Sequence, residues 1–252
     1  MLSVFPVPGL PLIGAGDDLA ALILAAMAKA SLSFQDGDVL VVAQKIISKA
    51  EGRMVALVDV RPGAEAASLA QQSGKDVALC QLILDEADEV VRTAPNLVIV
   101  RNRQGVVLAN AGIDASNVAD PDEAAKVLLW PLDPDASAGR LRQALQPKGG
   151  HLAVIISDSL GRAWRMGTMG TAIGAAGMHP LHDQCGDQDL FGRTLQATVI
   201  GMADQIAAAA SLVMGEGAEG IPVALVRGAP YQRADAGGMA LVIRAPHQDL
   251  FR

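Results

Sequence analysis

A chain of 252 residues in which 51% of the side chains are hydrophobic can build one large core or two small ones. Its formal net charge of −7 argues against a nucleic-acid-binding surface, which would need a basic patch, although local arginines can still serve a small anionic substrate. Aromatic residues amount to only 3%, so Ala, Val, Leu and Ile must fill the interior.

The N-terminus has no basic run, and Pro6, Pro8 and Pro11 interrupt its apolar residues, which excludes a signal peptide of the usual pattern. Leu19 to Ala28 is the longest helical apolar stretch and is too short to span a bilayer, so no membrane association is expected. Cys80 and Cys185 fit no CxxC pattern and are expected to be reduced thiols in a cytoplasmic protein.

Ser3 to Val7 predicts a short strand, followed by the proline-fixed loop Pro8 to Ile13. Asp17 or Asp18 can cap a helix from Leu19 to Ala30. Asp36-Gly37 marks a turn, and Asp38 to Ala43 a second strand. Lys45, Ser48 and Lys49 follow that strand directly, as an anion site or as the solvated first turn of a helix. Pro62 to Ser73 and Asp76 to Asp88 predict helices, and Leu97 to Val100 with Val106 to Ala109 a hairpin. The second hairpin strand runs into Asn110-Ala111-Gly112-Ile113-Asp114-Ala115-Ser116-Asn117, which is rich in side-chain oxygen and equally suited to turns. Val127 to Trp130 predicts a further strand, and Asp133-Pro134-Asp135 caps a helix from Ala136 to Leu145.

The chain is organised around Leu152 to Gly177. Leu152 to Ile156 predicts a buried strand that stops at Ser157-Asp158-Ser159, at a sheet edge, beside Arg162 and Arg165. His179 and His182 lie in a following loop with no third soft ligand beside them. Asp189 to Arg193 repeats the D-x-x-G-R spelling of Asp158 to Arg162, by coincidence or as a second similar turn. A long helix is predicted from Thr194 to Met214, with a small-residue face for close packing. Pro222 to Arg227 and Met239 to Arg244 predict the last strands. No linker separates independent units, so one domain over residues 1–252 is expected.

Gly215 to Gly220 spells G-x-G-x-x-G, but a helix precedes it and a strand follows, the reverse of a dinucleotide fingerprint. The loop sits at the negative end of a helix, so phosphate bound there would need a cation to offset its charge. No G-x-x-x-x-G-K-[ST] occurs. Asp114, Asp158, Ser159 and Glu216 are hard oxygen donors suited to Mg²⁺ or Mn²⁺, and Lys49 and Asn117 are candidate nucleotide contacts beside them.

The segments VFPVPGLPLI, DGDVLVVAQKIISKAEGR, NAGIDASNV, PLDPDASA, VIISDSLGRAWRMG, AIGAAG, DLFGR and ADQIAAAASLVMGEGAEGIPVALVRG resemble, in order and from Val4 to Gly228, the F420-0:γ-glutamyl ligase family. The resemblance implies a mixed α/β fold, an intertwined homodimer and a GTP-dependent ligase that adds L-glutamate to F420-0. It implies divalent metal at Asp114, Asp158, Ser159 and Glu216. It implies nucleotide contacts from Gly9, Leu10, Pro11, Leu12, Lys49 and Asn117, and from Met214, Gly215, Glu216, Gly217, Ala218, Glu219, Gly220 and Ile221. Asp158, Arg162 and Arg165 are the catalytic candidates, with Arg193 a further contact for an anionic substrate. Ser159 stands where the family often has Thr and keeps the hydroxyl, while Gln44-Lys45 stands where some members have small hydroxyl residues. No C-terminal flavin-binding domain, found in some relatives, is expected. A different carboxylate acceptor, or nucleotide binding without catalysis on the same scaffold, are the competing readings.

Overall fold

The computed structural model describes residues 1–118, 125–235 and 237–249. In chain order these carry β1 (Ser3–Pro6), α1 (Leu19–Lys29), β2 (Asp38–Ala43), α2 (Gln44–Ala50), β3 (Met54–Ala56), α3 (Ala64–Ser73), α4 (Val77–Asp85), β4 (Ala87–Ala94), β5 (Leu97–Asn102) and β6 (Val107–Ala109). Then follow β7 (Lys126–Leu128), α5 (Pro134–Leu145), β8 (Leu152–Arg162), β9 (Arg165–Ala176), β10 (Leu181–Asp183), β11 (Val199–Gly201), α6 (Met202–Met214) and β12 (Val223–Arg227). Among the described residues no helix is long and apolar enough to cross a membrane.

A mixed five-stranded sheet in the order β1-β12-β2-β8-β9 forms the centre. Only β2 and β8 pair in parallel; the other neighbours are antiparallel. Side chains alternate across it as a strand requires. Leu40 and Val42 of β2 and Val154 and Ile156 of β8 face a core shared with Ile23 and Met27 of α1 and Leu141 and Leu145 of α5. Val39, Val41, Ala153 and Ile155 face the opposite core, where Ala203, Ile206, Ala207 and Ala210 of α6 pack. The small-residue face of α6 meets Gly170 of β9, where an added Cβ would stand 2.7 Å from the Ala207 carbonyl oxygen. Helices α3 and α4 and the three-stranded sheet β4-β5-β6 extend the first core through Leu69, Ile83, Val98 and Val100.

Helix starts follow local chemistry. Asp18, Asp76 and Asp133 cap α1, α4 and α5 by accepting the N–H of Ala21, Leu79 and Ala136. Asp135, also expected to serve the cap of α5, instead accepts from Ala175 N of β9 at 2.8 Å and from Met239 N. Asp204 of α6 likewise accepts from Ala172 N at 3.0 Å, beside the register shift between Ile156 and Ser157. Two carboxylates thus hold N–H groups of β9, the outer strand of the sheet, and cover its edge.

Several expected boundaries move. Residues 87–88 belong to β4 rather than to the preceding helix, because α4 ends at Asp85. The organising strand does not stop at Ser157: β8 continues to Arg162 and returns through Ala163-Trp164 as β9, so Asp158 and Ser159 lie inside a long hairpin. Residues 194–201 are not helical; β11 occupies 199–201 and α6 begins at Met202. Met239–Val242 forms a short 3₁₀ turn instead of a strand.

Burial raises the pKa of Asp204 above its ordinary 3.8, since the charged form loses water. An acid whose folded pKa is raised adds stability that is fully present below its unfolded pKa and is lost as pH rises through the folded value. Asp204→Asn keeps an acceptor for Ala172 N without the charge. Its melting temperature should match wild type near pH 3.5 and exceed it by a margin that grows toward neutrality. Calorimetry across that range that finds the margin shrinking would refute the assignment.

Candidate active site at the sheet edge

Strands β1, β2 and β8 run the same way, and β12 runs against them. Their C-terminal ends and the start of β12 therefore share one edge of the sheet. Val7 N donates to Val223 O and Ala43 N to Pro222 O there, at 2.9 and 2.8 Å. The Gly9–Leu12 loop, helix α2, the outer half of β8 and the Met214–Ile221 loop all leave from this edge. Beyond Ser157, β8 has no β2 partner, because β2 ends opposite it at Ala43. Asp158 is the first residue past that end, so it lies at the sheet edge although the strand itself runs on.

Asp158 faces the core side of α1 and α5, in step with Ile156 and Leu160. Its Oδ2 accepts from Nε1 of Trp130 at 2.8 Å, and its Oδ1 from Ser159 N at 2.8 Å. Trp130 is only 1% exposed; its carbonyl accepts from Arg53 Nε at 2.9 Å, and Arg53 pairs with Glu86. Asp114 reaches the same side by bridging Leu128, two residues before Trp130. The chain arrives there through Asn110, Ala111 and Gly112, all with left-handed φ (51°, 57° and 74°), a strained run of the kind that clusters at functional sites. Gly112 packs so close to the Trp130 indole that an added Cβ would stand 2.6 Å from its Cε2.

Burial and then the Asp114 charge push the Asp158 carboxyl up to about 6, against the opposing pull of Trp130, Ser159 N and Lys45. Lys45 Nζ stands 2.6 Å from Asp114 Oδ2, yet not in line for a hydrogen bond, so that buried oxygen has charge compensation but no directed donor. Gln44 turns inward, donating to Ser48 Oγ at 2.6 Å and Leu129 O at 3.4 Å. Of the stretch after β2, only Lys45 and Lys49 face the site.

Ser159 points to the other side of β8, toward α6, and its Oγ donates to Glu216 Oε2. Lys49 Nζ donates to Asn117 O at 2.7 Å, and Asn117 Nδ2 donates to Gly217 O at 3.1 Å, which joins α2, the Asp114 segment and the loop after α6. Burial, then Lys45, lowers the pKa of Lys49. Glu219 closes its own loop by accepting from Gly217 N at 2.8 Å. The Met214 side chain is core, 8% exposed, so only its backbone is open to a ligand. Leu12 is 96% exposed beside Gly9, Leu10 and Pro11, whose turn has φ +83° at Gly9.

Of the four predicted oxygen donors, Ser159 meets Glu216 on one side of β8, while Asp158, on the other side, lies near enough to Asp114 to feel its charge. Among the described residues no three Asp, Glu, His or Cys side chains converge on one point. The donors fit divalent cations nonetheless. All are hard oxygens, one buried oxygen lacks a directed donor, and two neighbouring carboxylates raise the local negative charge.

Arg162 shares the Asp158 side of β8; its Nη2 donates to Met166 O at 3.1 Å and its Nε is buried without a hydrogen-bond partner. Arg165 and Arg193 are exposed and make no side-chain hydrogen bond or ion pair with the site acids. Asp189 closes a turn by accepting from Phe191 N and Arg193 N, whereas Asp158 with the same spelling lies in a strand. His179 folds back on Leu181 O at 2.7 Å, and His182 sits in β10. Sequence reasoning missed Trp130 and Gly112, since nothing local marks an indole as the partner of a carboxylate 28 residues on.

Fold and site together define a mixed α/β protein whose sheet edge brings hard oxygen donors and two lysines together. The chain belongs to the F420-0:gamma-glutamyl ligase family, whose model matches residues 9–228. It is 44% identical over 254 residues to the coenzyme F420:L-glutamate ligase of Methanothermobacter thermautotrophicus, covering 100% of this chain and 99% of the relative. It is 46% identical over 252 residues to the enzyme of that name from Archaeoglobus fulgidus, with 100% and 96% covered, and 41% identical over 224 residues to that of Methanocaldococcus jannaschii, with 88% of each covered.

Proposed function

We propose that this chain joins L-glutamate to F420-0 through an amide bond at the expense of GTP. The family and its full-length relatives support the ligase chemistry. The observation that supports a nucleotide-driven step is the junction of Lys49, Asn117 and Gly217 beside the Asp114–Asp158 pair.

Joining a carboxylate to an amine is uphill in water, so the carboxylate is first activated. The F420-0 carboxylate oxygen attacks the GTP γ-phosphorus and GDP leaves. The glutamate nitrogen then attacks the acyl carbon, loses a proton and expels inorganic phosphate. Mg²⁺ or Mn²⁺ on the two donor pairs, Asp114 with Asp158 and Ser159 with Glu216, would neutralise phosphate charge during transfer. Lys49 and the backbone of residues 214–221 orient the nucleotide, with Asn117 holding both in register. Gly9 to Leu12 line the same edge. Arg162, whose free Nε lies on the Asp158 side, holds the anionic acceptor. Arg165, at the turn of the hairpin, takes the more distant charge of the acceptor or of glutamate.

The working unit is a homodimer in the cytoplasm. Trp164, 87% exposed and held at φ 65°, and Met166 project from the tip of the β8–β9 hairpin, and Leu190 and Phe191 from the following loop. Such apolar exposure supports an association surface there.

Incubation with GTP, Mg²⁺ or Mn²⁺, F420-0 and L-glutamate should yield GDP, phosphate and glutamylated product by mass spectrometry. The protein should sediment at twice the mass of one chain. GDP release only with other carboxylates would move the acceptor, and GTP binding without any phosphate release would refute catalysis.

A further inference from the structure

We propose that Lys45 is a tethered counter-ion. Its ammonium holds the cation position on the Asp114–Asp158 side until a divalent cation arriving with nucleotide displaces it. The inference rests on the cation reading above and concerns how loading is ordered.

Two carboxylates near each other and largely out of water repel unless a positive charge offsets them. Lys45 supplies that charge. Its Nζ lies 2.6 Å from Asp114 Oδ2, and its charge acts on Asp158 and Lys49 as well. No hydrogen-bond donor is aligned on that oxygen, so the Lys45 charge is what offsets it, and the oxygen opens to a cation when the ammonium leaves. Lys45 is also partly exposed, 29% at its side chain, which gives the ammonium a way out. An ammonium and a divalent cation cannot both sit on one carboxylate oxygen without strong repulsion. Cation binding therefore requires Lys45 to withdraw. One helical turn on, Lys49 already reaches toward Asn117, so the two lysines share a face of α2 and a withdrawn Lys45 moves to the side of the nucleotide phosphates. A cation alone must break an ion pair for nothing. With triphosphate present, the freed ammonium gains an anionic partner. Lys45 thus disfavours loading by cation alone and couples it to nucleotide.

Mn²⁺ binding to the full chain, followed by electron paramagnetic resonance, tests this with and without a non-hydrolysable GTP analogue. Without nucleotide, Lys45→Met should bind Mn²⁺ about tenfold more tightly than wild type, while Lys45→Arg should stay near wild type. The GTP analogue should tighten Mn²⁺ binding more in wild type than in Lys45→Met. Lys45→Gln carries the same expectation should the Met variant misfold. Equal or weaker Mn²⁺ binding by the uncharged variants, with Asp158→Asn abolishing it, would overturn the Lys45 role alone. Failure of Mn²⁺ to bind any of these proteins, with or without analogue, would overturn the cation reading and this inference with it.

Discussion

Asp158→Ala should lower turnover by about a hundredfold to a thousandfold while leaving the protein folded. Asp158 stands where the parallel pair β2–β8 ends, is fixed at both oxygens, and feels the Asp114 charge. Each of those features serves a charged ligand better than it serves the fold. The linkage sign separates the two roles. The folded pKa of about 6 lies above the ordinary 3.8, so the native state favours the protonated acid. That contribution is complete below about pH 4 and is lost as pH rises through 6. At pH 7.5 the carboxylate therefore opposes folding, and Asp158→Asn, which removes the charge but keeps only one of the two acceptors that Trp130 and Ser159 N use, should melt closer to wild type than Asp158→Ala does. Steady-state kinetics beside thermal melts of both variants check this. A near-normal rate in Asp158→Ala would remove the residue from the proposed machinery.

Gly112→Ala should cost about 2–4 kcal/mol of stability and, in the fraction that folds, most of the cation affinity. The backbone there has φ +74°, which an alanine adopts only with strain, and the new Cβ would stand 2.6 Å from Cε2 of Trp130. The indole cannot retreat easily, because it is fully buried and its carbonyl is held by Arg53. Any tilt breaks the 2.8 Å bond to Asp158. Denaturant unfolding gives the stability change, and Mn²⁺ binding gives the second effect. Gly139→Ala in α5, where an added Cβ meets nothing within 4 Å, is the control: it should raise stability by about 0.5–1 kcal/mol and leave cation affinity unchanged.

What was legible in the sequence was local. Helix α1 with its Asp18 cap, strand β2, the start of α5 at Asp133 and the helix–loop–strand order around Gly215 all follow from signals within a few residues. The outer hairpin was not legible. Residues 157–171 are rich in Ser, Gly, Thr and Met, and they are extended because β8 and β9 pair with each other, not because either is apolar. Leu195 and Val199 sit in phase with Met202 and Ile206, yet only the part after Gly201 packs as a helix. At the site, the residue types of Asp114, Asp158, Ser159 and Glu216 suffice to suggest hard cations. Their division between two sides of a strand, the indole behind Asp158 and the lysine on Asp114 depend on contacts between residues 28 to 69 positions apart.

Because Asp158 and Ser159 are neighbours that point opposite ways, their roles are assigned by parity along β8. A single residue inserted or deleted between Ile156 and Asp158 would invert the strand beyond it. The aspartate would then look at Glu216, and the hydroxyl at the indole. Point substitutions in this segment are thus graded in effect, but length changes are all-or-none. Only an insertion or deletion of two residues, or one absorbed by the irregularity opposite Ile173, keeps each donor on its own half of the molecule. Chain length in this stretch is as much a functional constraint as the identity of the acids it carries.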